Sequence, residues 1–376
     1  QGDTDCGIVL FLTQLPSPGW LADHFLPEHA MADPTAATVN METVRKLVED
    51  LRDPKQSVYF ADLVASALTG WLLFAYAVLG SGRGWRVLAF VASSLLLYRA
   101  IGFIHELFHQ QSMKGFRALW HVLAGVPLLI PFLLYLPIHQ GHHNSKTYGT
   151  KEDGEYDQFH GHATSASIKL FVLNLALPIA LMVRFGILTP LSVVLPVVRR
   201  EVIPNFVHMA LRMPFKAAEI KENLRRESYW VEAWCAVFTW GLVALCLLGF
   251  WKVWLAWYAL VVAIATLNTV RALGSTHLYV ELAQGRGANG QMLDSLNIGG
   301  GGIVTQLLCP VGLRFHALHH VAPYLPYHAL PLAHQRLMEQ LPAGSDYHRV
   351  TVPSLWSGWQ RLLATTSAPI QPVAGT

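Results

Sequence analysis

Three histidine groups carry the chemistry of this sequence: His105-Glu106-Leu107-Phe108-His109, His139-Gln140-Gly141-His142-His143 and His316-Ala317-Leu318-His319-His320. Each lies against strongly apolar sequence, where concentrated imidazole is unexpected. Imidazole nitrogen suits iron, copper, zinc and nickel, and eight rings are too many for one centre. The spacing therefore predicts a two-metal site. With 18 histidines in 376 residues, chance supplies about 0.04 HxxHH matches, so two copies need a cause. The first group also fits the HExxH zinc-protease pattern with Glu106 as base, but that reading leaves both HxxHH groups unexplained.

On a helix, His105 and His109 are four apart and share a face. His139 and His142 are expected on a common face, with His143 reaching toward a second metal, and His316, His319 and His320 are expected to repeat that division. His277 directly follows an apolar run at the same expected membrane depth as His109, and is read as a ninth ligand. Ligating imidazoles usually give their second N–H to a carboxylate or carbonyl; Glu106, Asp153, Glu155 and Asp157 are the candidates. His121, His160, His162 and His208 lack companions at ligand spacing, so surface or supporting roles are expected. Structural service is expected of His328 and His334.

The elements that must hold these rings are apolar. The chain is 53% hydrophobic and 14% charged, with mean hydropathy +0.35, against about 25% charge in ordinary soluble domains. A net charge of +3 is too small to argue for nucleic acid. Cys6, Cys235, Cys246 and Cys309 form no CxxC pair, so buried inert thiols are expected rather than a disulfide framework or thiolate zinc site. Four stretches, about 58–80, 86–104, 229–250 and 253–271, are long enough to cross a bilayer and read as two helical hairpins. Residues 122–138 hold Pro127, Pro131 and Pro137. A crossing there would separate the first histidine group from the second, so the segment is expected to be re-entrant or interfacial. Residues 168–198, interrupted by Lys169, Pro178, Arg184, Pro190 and Pro196, are expected to be interfacial. Arg199, Arg200, Arg212, Lys216, Lys221, Arg225 and Arg226 lie on the side of the histidines, against Arg83, Arg86 and Lys252 opposite; the positive-inside rule makes the histidine side cytoplasmic.

The expected fold is thus an all-α membrane protein: four transmembrane helices in two hairpins, re-entrant or interfacial helices, and a cytoplasmic helical cap bearing the metal site. Residues 1–57 are read as an N-terminal cytoplasmic segment, with 1–30 an extension ahead of a start at Met31 or Met41. Residues 58–340 form the membrane domain with its cap, and 341–376 a C-terminal cytoplasmic tail.

The three ordered boxes resemble those of the membrane fatty-acid desaturase/hydroxylase superfamily, over most of residues 58–340. Leu313-Arg314-Phe315-His316-Ala317-Leu318-His319-His320, followed by Pro326-Tyr327-His328, looks especially like bacterial acyl-chain desaturases. The resemblance implies two iron ions held by His105, His109, His139, His142, His143, His316, His319 and His320, with His277 matching an additional ligand of some members. Leu273 stands where acyl-CoA desaturases place an Asn before that ligand. It also implies O2 as co-substrate, a fatty acyl lipid or acyl-carrier substrate, and a bacterial inner-membrane setting. Electrons are expected from a separate ferredoxin, cytochrome or reductase, since no His-Pro-Gly-Gly haem signature occurs in the sequence. The expected reaction is introduction of a C=C bond into an acyl chain. Alternatives are hydroxylation or ketolation of an alkane, lipid or carotenoid on the same centre, and a non-enzymatic metal-binding membrane protein.

Overall fold

The computed structural model describes residues 39–150, 152–156, 163–211, 222–278 and 287–367. Residues 1–38, including the expected extension, and Asp157, His160 and His162 lie outside them.

The described chain is mostly helical, with two short strands. After α1 (Met41–Val48) come two long apolar helices, α2 (Gln56–Leu79) and α3 (Arg83–His109), which pack together. Only residues 80–82 join them, and Gly82 sits at φ +78°, a conformation that a side chain would strain. The proline-rich stretch that follows breaks into α4 (Phe116–Trp120), a π-helical turn (His121–Gly125) and α5 (Phe132–His143). Then come α6 (Ala163–Val183), a π turn (Arg184–Leu188), α7 (Thr189–Val194), a further π turn (Val198–Val202) and α8 (Ile203–Leu211). Two more long helices follow, α9 (Glu222–Leu247) and α10 (Trp251–Ser275), also packed together.

Five helical stretches, rather than four, are long and apolar enough to cross a membrane: Gln56–Leu79, Arg83–His109, Ile168–Val194, Leu224–Leu247 and Trp251–Ser275. The addition is the segment expected at the interface. Its interruptions are absorbed locally. Pro178 sits within α6, Pro190 starts α7, where a missing N–H costs nothing, and the π turn lies between them. The Arg184 guanidinium is buried, donating to Glu232 at 2.7 Å and to Thr189 at 2.6 Å. Arg199 reaches the same carboxylate at 2.6 Å. A charge counted from sequence as an obstacle is therefore paired inside. Leu72, Leu79, Val193 and Leu247 are exposed on these helices, a surface suited to lipid rather than water.

The last third of the chain forms a cap of short elements: α11 (Ala288–Leu293), β1 (Asn297–Ile298), α12 (Ile303–Leu308), α13 (His316–Val321), α14 (Leu330–Gln340), α15 (Asp346–Arg349), β2 (Thr351–Val352) and α16 (Leu355–Ser367). β1 and β2 pair in parallel, Asn297 with Thr351 and Ile298 with Val352. α16 packs along α10, where the Trp359 indole donates to the Val270 carbonyl at 3.1 Å. Two cores result. One joins α2, α3, α5, α9 and α10 through residues such as Tyr59, Leu97, Phe103, Phe132 and Trp257. The other joins α1 to α13–α15 through Val44, Val48, Leu318, Leu337 and Tyr347.

Candidate metal centre

Each histidine group is placed by a different device. His105 and His109 end α3, one turn apart. His139, His142 and His143 form the last turns of α5, past Pro137. The third group occupies the short helix α13, which is too short to be stable alone. Buried Asn297 caps it by accepting from the Leu318 N–H at 3.0 Å, while the Ala317 N–H donates to the Leu296 carbonyl at 3.1 Å. His277 lies two residues beyond α10 and is tied by an isolated antiparallel bridge to Ser295. One strand-like passage, 295–298, therefore registers both His277 and α13.

The nine rings sort into two groups within which the ligand atoms all lie within 4.8 Å of one another: His105, His109, His139, His143 and His319 in one, and His142, His277, His316 and His320 in the other. The division differs from the expected one. Residues 139 and 143 stay together, as do 316 and 320, whereas His142 and His319 cross to the opposite group. On a helix of 3.6 residues per turn, positions i and i+4 differ by about 40°, but i and i+3 by about 60° in the other sense. The closer pair falls in one group and the intermediate ring is turned away. The groups touch, with His143 and His320 ring centroids 5.0 Å apart.

Facing Nε2 atoms are close: His109–His139 at 2.8 Å, His143–His319 at 3.0 Å, His277–His316 at 3.0 Å, His316–His320 at 3.1 Å and His142–His320 at 3.2 Å. Metal–imidazole bonds of about 2.0–2.1 Å set adjacent donors about 2.9–3.4 Å apart, so the spacing suits cis ligands of one ion. Both ring nitrogens of buried His105 lack a hydrogen-bond partner among the described residues, which is costly unless something else satisfies them. Burial is the main cause that holds His139, His143, His277, His316, His319 and His320 well below the ordinary imidazole range, and neighbouring rings add to it. They are neutral, as ligation requires. For His142 burial also lowers the pKa, but the Asp153 and Glu155 carboxylates outweigh it and raise the net value.

The outer nitrogens are held as well. His142 Nδ1 meets both oxygens of fully buried Asp153, at 2.9 and 3.1 Å. His139 Nδ1 meets Glu155 at 2.8 Å and the Tyr135 hydroxyl at 2.8 Å. A donor at Nδ1 leaves the lone pair on Nε2, pointing inward. Glu106 lies 3.6 Å from His105 Nδ1 and accepts from the Tyr59 hydroxyl and, at 3.2 Å, from the Tyr327 N–H. Sequence reasoning missed several supports. Gln291 Oε1 lies 3.0 Å from His320 Nδ1, and the Tyr148 and Ser295 hydroxyls each lie 3.2 Å from His277 Nδ1. Asp294 binds that tyrosine at 3.0 Å and stands 4.0 Å from the same imidazole nitrogen. Gln291, Asp294 and Ser295 follow His277 and Tyr148 follows the second box, and none has a sequence spacing that ties it to the ring it supports.

The remaining described histidines lie apart. His121 is buried 3.7 Å from Glu227 and is pushed down to about 4 by burial. His334 pairs with the Tyr347 hydroxyl at 2.8 Å, and His328 accepts from the Lys55 N–H at 2.9 Å. Beside the nine rings opens a cavity of about 320 Å³, with His105, His277, Tyr135 and Glu155 on its wall. It continues between α3, α6 and α10 along Ile101, Leu134, Leu177, Leu181 and Ile264.

Residues 83–351 match the fatty acid desaturase family. A ceramide hydroxylase from Caulobacter vibrioides is 35% identical over 333 residues, which cover 86% of this chain and 93% of that protein. No solved structure matches. A match across this much of the sequence, with all three histidine boxes inside it, places the chain in the fatty acid desaturase family.

Proposed function

We propose that this protein is an integral-membrane, O2-dependent oxidoreductase that hydroxylates an alkyl chain of a ceramide-like lipid. The observation that carries the reading is the extended match to a ceramide hydroxylase, joined to a cavity with a mainly apolar lining whose wall includes rings of both histidine groups. The balance is R–H + O2 + 2 electrons + 2 H⁺ giving R–OH and H2O, with electrons from a separate ferredoxin, cytochrome or reductase. His105, His109, His139, His143 and His319 would hold one iron, and His142, His277, His316 and His320 the other. The iron pair, when bound, supplies the O2 reduction that allows an unactivated C–H bond to be broken.

The chain's own residues do the rest. Asp153 and Glu155 fix the tautomer and tilt of His142 and His139. Tyr59 and the Tyr327 N–H hold Glu106 against the first box. Ile101, Leu134 and Leu177 exclude water and bind chain carbons, each buried CH2 contributing about 0.8 kcal/mol.

Desaturation is the second reading, favoured by the likeness of Leu313–His320 and Pro326-Tyr327-His328 to bacterial acyl-chain desaturases. Both outcomes begin with hydrogen removal from CH2, so substrate placement decides between them. Expression of wild type and His142→Ala in a lipid-profiled host separates them. Gain of one oxygen in wild type alone supports hydroxylation, loss of two hydrogens supports desaturation, and identical profiles with ceramide and reductant supplied count against both.

A further inference from the structure

Building on the hydroxylase reading, we propose that the cavity binds an uncharged lipid head bearing amide and hydroxyl groups, through Arg271, Asn268, Thr269 and Asn174. The carbon it oxidises then lies near that head and not in mid-chain.

A slot for a plain acyl chain needs apolar walls throughout. Here one stretch of wall is polar, although it lies on helices otherwise apolar enough to span a membrane. Arg271 Nε and Nη2 donate to the Asn268 side-chain oxygen at 3.2 and 3.1 Å. Arg271 also reaches the Tyr98 hydroxyl on the same wall, and the Asn268 amide N–H groups are left as donors. Asn174, buried on α6, donates to Thr269 Oγ1 at 3.0 Å, and Thr269 passes its own hydrogen to the Ala265 carbonyl at 3.1 Å. The Asn174 side-chain oxygen is left as an acceptor without a partner among the described residues. The wall therefore both donates and accepts.

Charge narrows the ligand. Arg271 and Glu155 line the same cavity without forming an ion pair, so the formal charges of its described lining residues cancel. A carboxylate or phosphate head would meet Arg271 but would also face Glu155 and the Asn174 oxygen. A hydrocarbon would leave every polar group on this wall stranded, the situation that polar sites discriminate against most strongly. An amide with neighbouring hydroxyls supplies the complementary donors and acceptors without charge.

Position follows from α10. The helix ends at Ser275, two residues before His277. At 1.5 Å per residue, Arg271 and Asn268 lie about 6 and about 10 Å back along its axis. Ile264, and Leu177 and Leu181 on α6, continue the cavity as apolar wall. The polar wall thus stands between the histidines and the deeper slot, and a head held there keeps its own first carbons nearest the rings.

The test uses the full-length, iron-loaded protein in detergent, kept anaerobic so that nothing turns over. N-hexadecanoyl sphinganine, hexadecanoic acid and hexadecane compete for binding, read by native mass spectrometry, on wild type, Arg271→Gln, Asn174→Leu and Thr269→Val. Wild type is expected to prefer the amide lipid by at least about tenfold, and each variant to lose most of that preference. Equal binding of the three ligands, or best binding of the acid, overturns the head site; unchanged iron content and circular dichroism show that a variant is folded. Tandem mass spectrometry of the aerobic product then locates the new hydroxyl. A mid-chain hydroxyl overturns the positional claim and leaves the hydroxylase reading standing. Absence of any oxygenated product, with the amide preference intact, removes the reaction and leaves the head site.

Discussion

Asp153→Asn tests the site with the smallest change in shape. One oxygen of Asp153 accepts from His142 Nδ1 and from the N–H groups of Glu155 and Tyr156, at 3.1, 3.1 and 3.2 Å. The other accepts from His142 at 2.9 Å and from the Gly149 N–H at 3.0 Å. An amide in this position must turn its NH2 toward donors. The conflict is relieved when His142 moves its proton from Nδ1 to Nε2, so that Nδ1 accepts from the new amide. That tautomer places N–H where the lone pair should face His320, 3.2 Å away. Loss of an outer partner of this kind costs about 10–100-fold in metal affinity, or about 1.4–2.7 kcal/mol. The loss should fall on one iron of two, because His142 belongs to the four-ring group only. The assay is iron per chain after equilibration with a graded series of chelator concentrations. A first equivalent that leaves 10–100-fold earlier than in wild type, with the second unchanged, is the expected result. Two equivalents retained at wild-type affinity would refute the tautomer argument.

Three other perturbations test the scaffold. Glu232→Gln leaves Arg184 and Arg199 without their shared carboxylate. It should cost about 3–5 kcal/mol, whereas Arg184→Met with Glu232→Met should cost much less; equal shifts in thermal unfolding in detergent would count against a paired interior charge. Gly358→Ala puts a Cβ 2.0 Å from the Gly274 carbonyl oxygen, so α16 must lift from α10. Limited proteolysis should then cut within 353–367 in the variant, and an unaltered pattern would show that the contact is not needed. Burial chiefly, with Arg314 and His348, pushes His334 from 6.5 down to about 4. The unfolded chain therefore takes up this proton first, and the stability is present above pH 6.5 and lost as pH falls toward 4. The loss is about 3 kcal/mol at most. Unfolding temperature in His334→Phe should fall less steeply over that window, and parallel curves for the two proteins would contradict the assignment.

The sequence alone determined the chemistry of the rings. Imidazoles at i, i+4 and HxxHH spacing are local facts, and helix geometry brings each set to one end of an element. Long uncharged runs likewise announce helices wherever lipid is the solvent, because the backbone can pair only with itself. Tertiary structure decided which ring joins which group. Helix spacing turns His142 and His319 away from the i, i+4 pairs of their own helices, but the rings they meet, His320 for His142 and His143 for His319, lie far away in the sequence. It also decided that Ile168–Val194 belongs with the long apolar helices, since the partner of Arg184 lies 48 residues away in Glu232. The supports of His277 and His320, and the polar wall of Arg271 and Asn174, are contacts between distant segments for the same reason. A sequence displays which groups can bond, but only packing decides which of them are left facing one another.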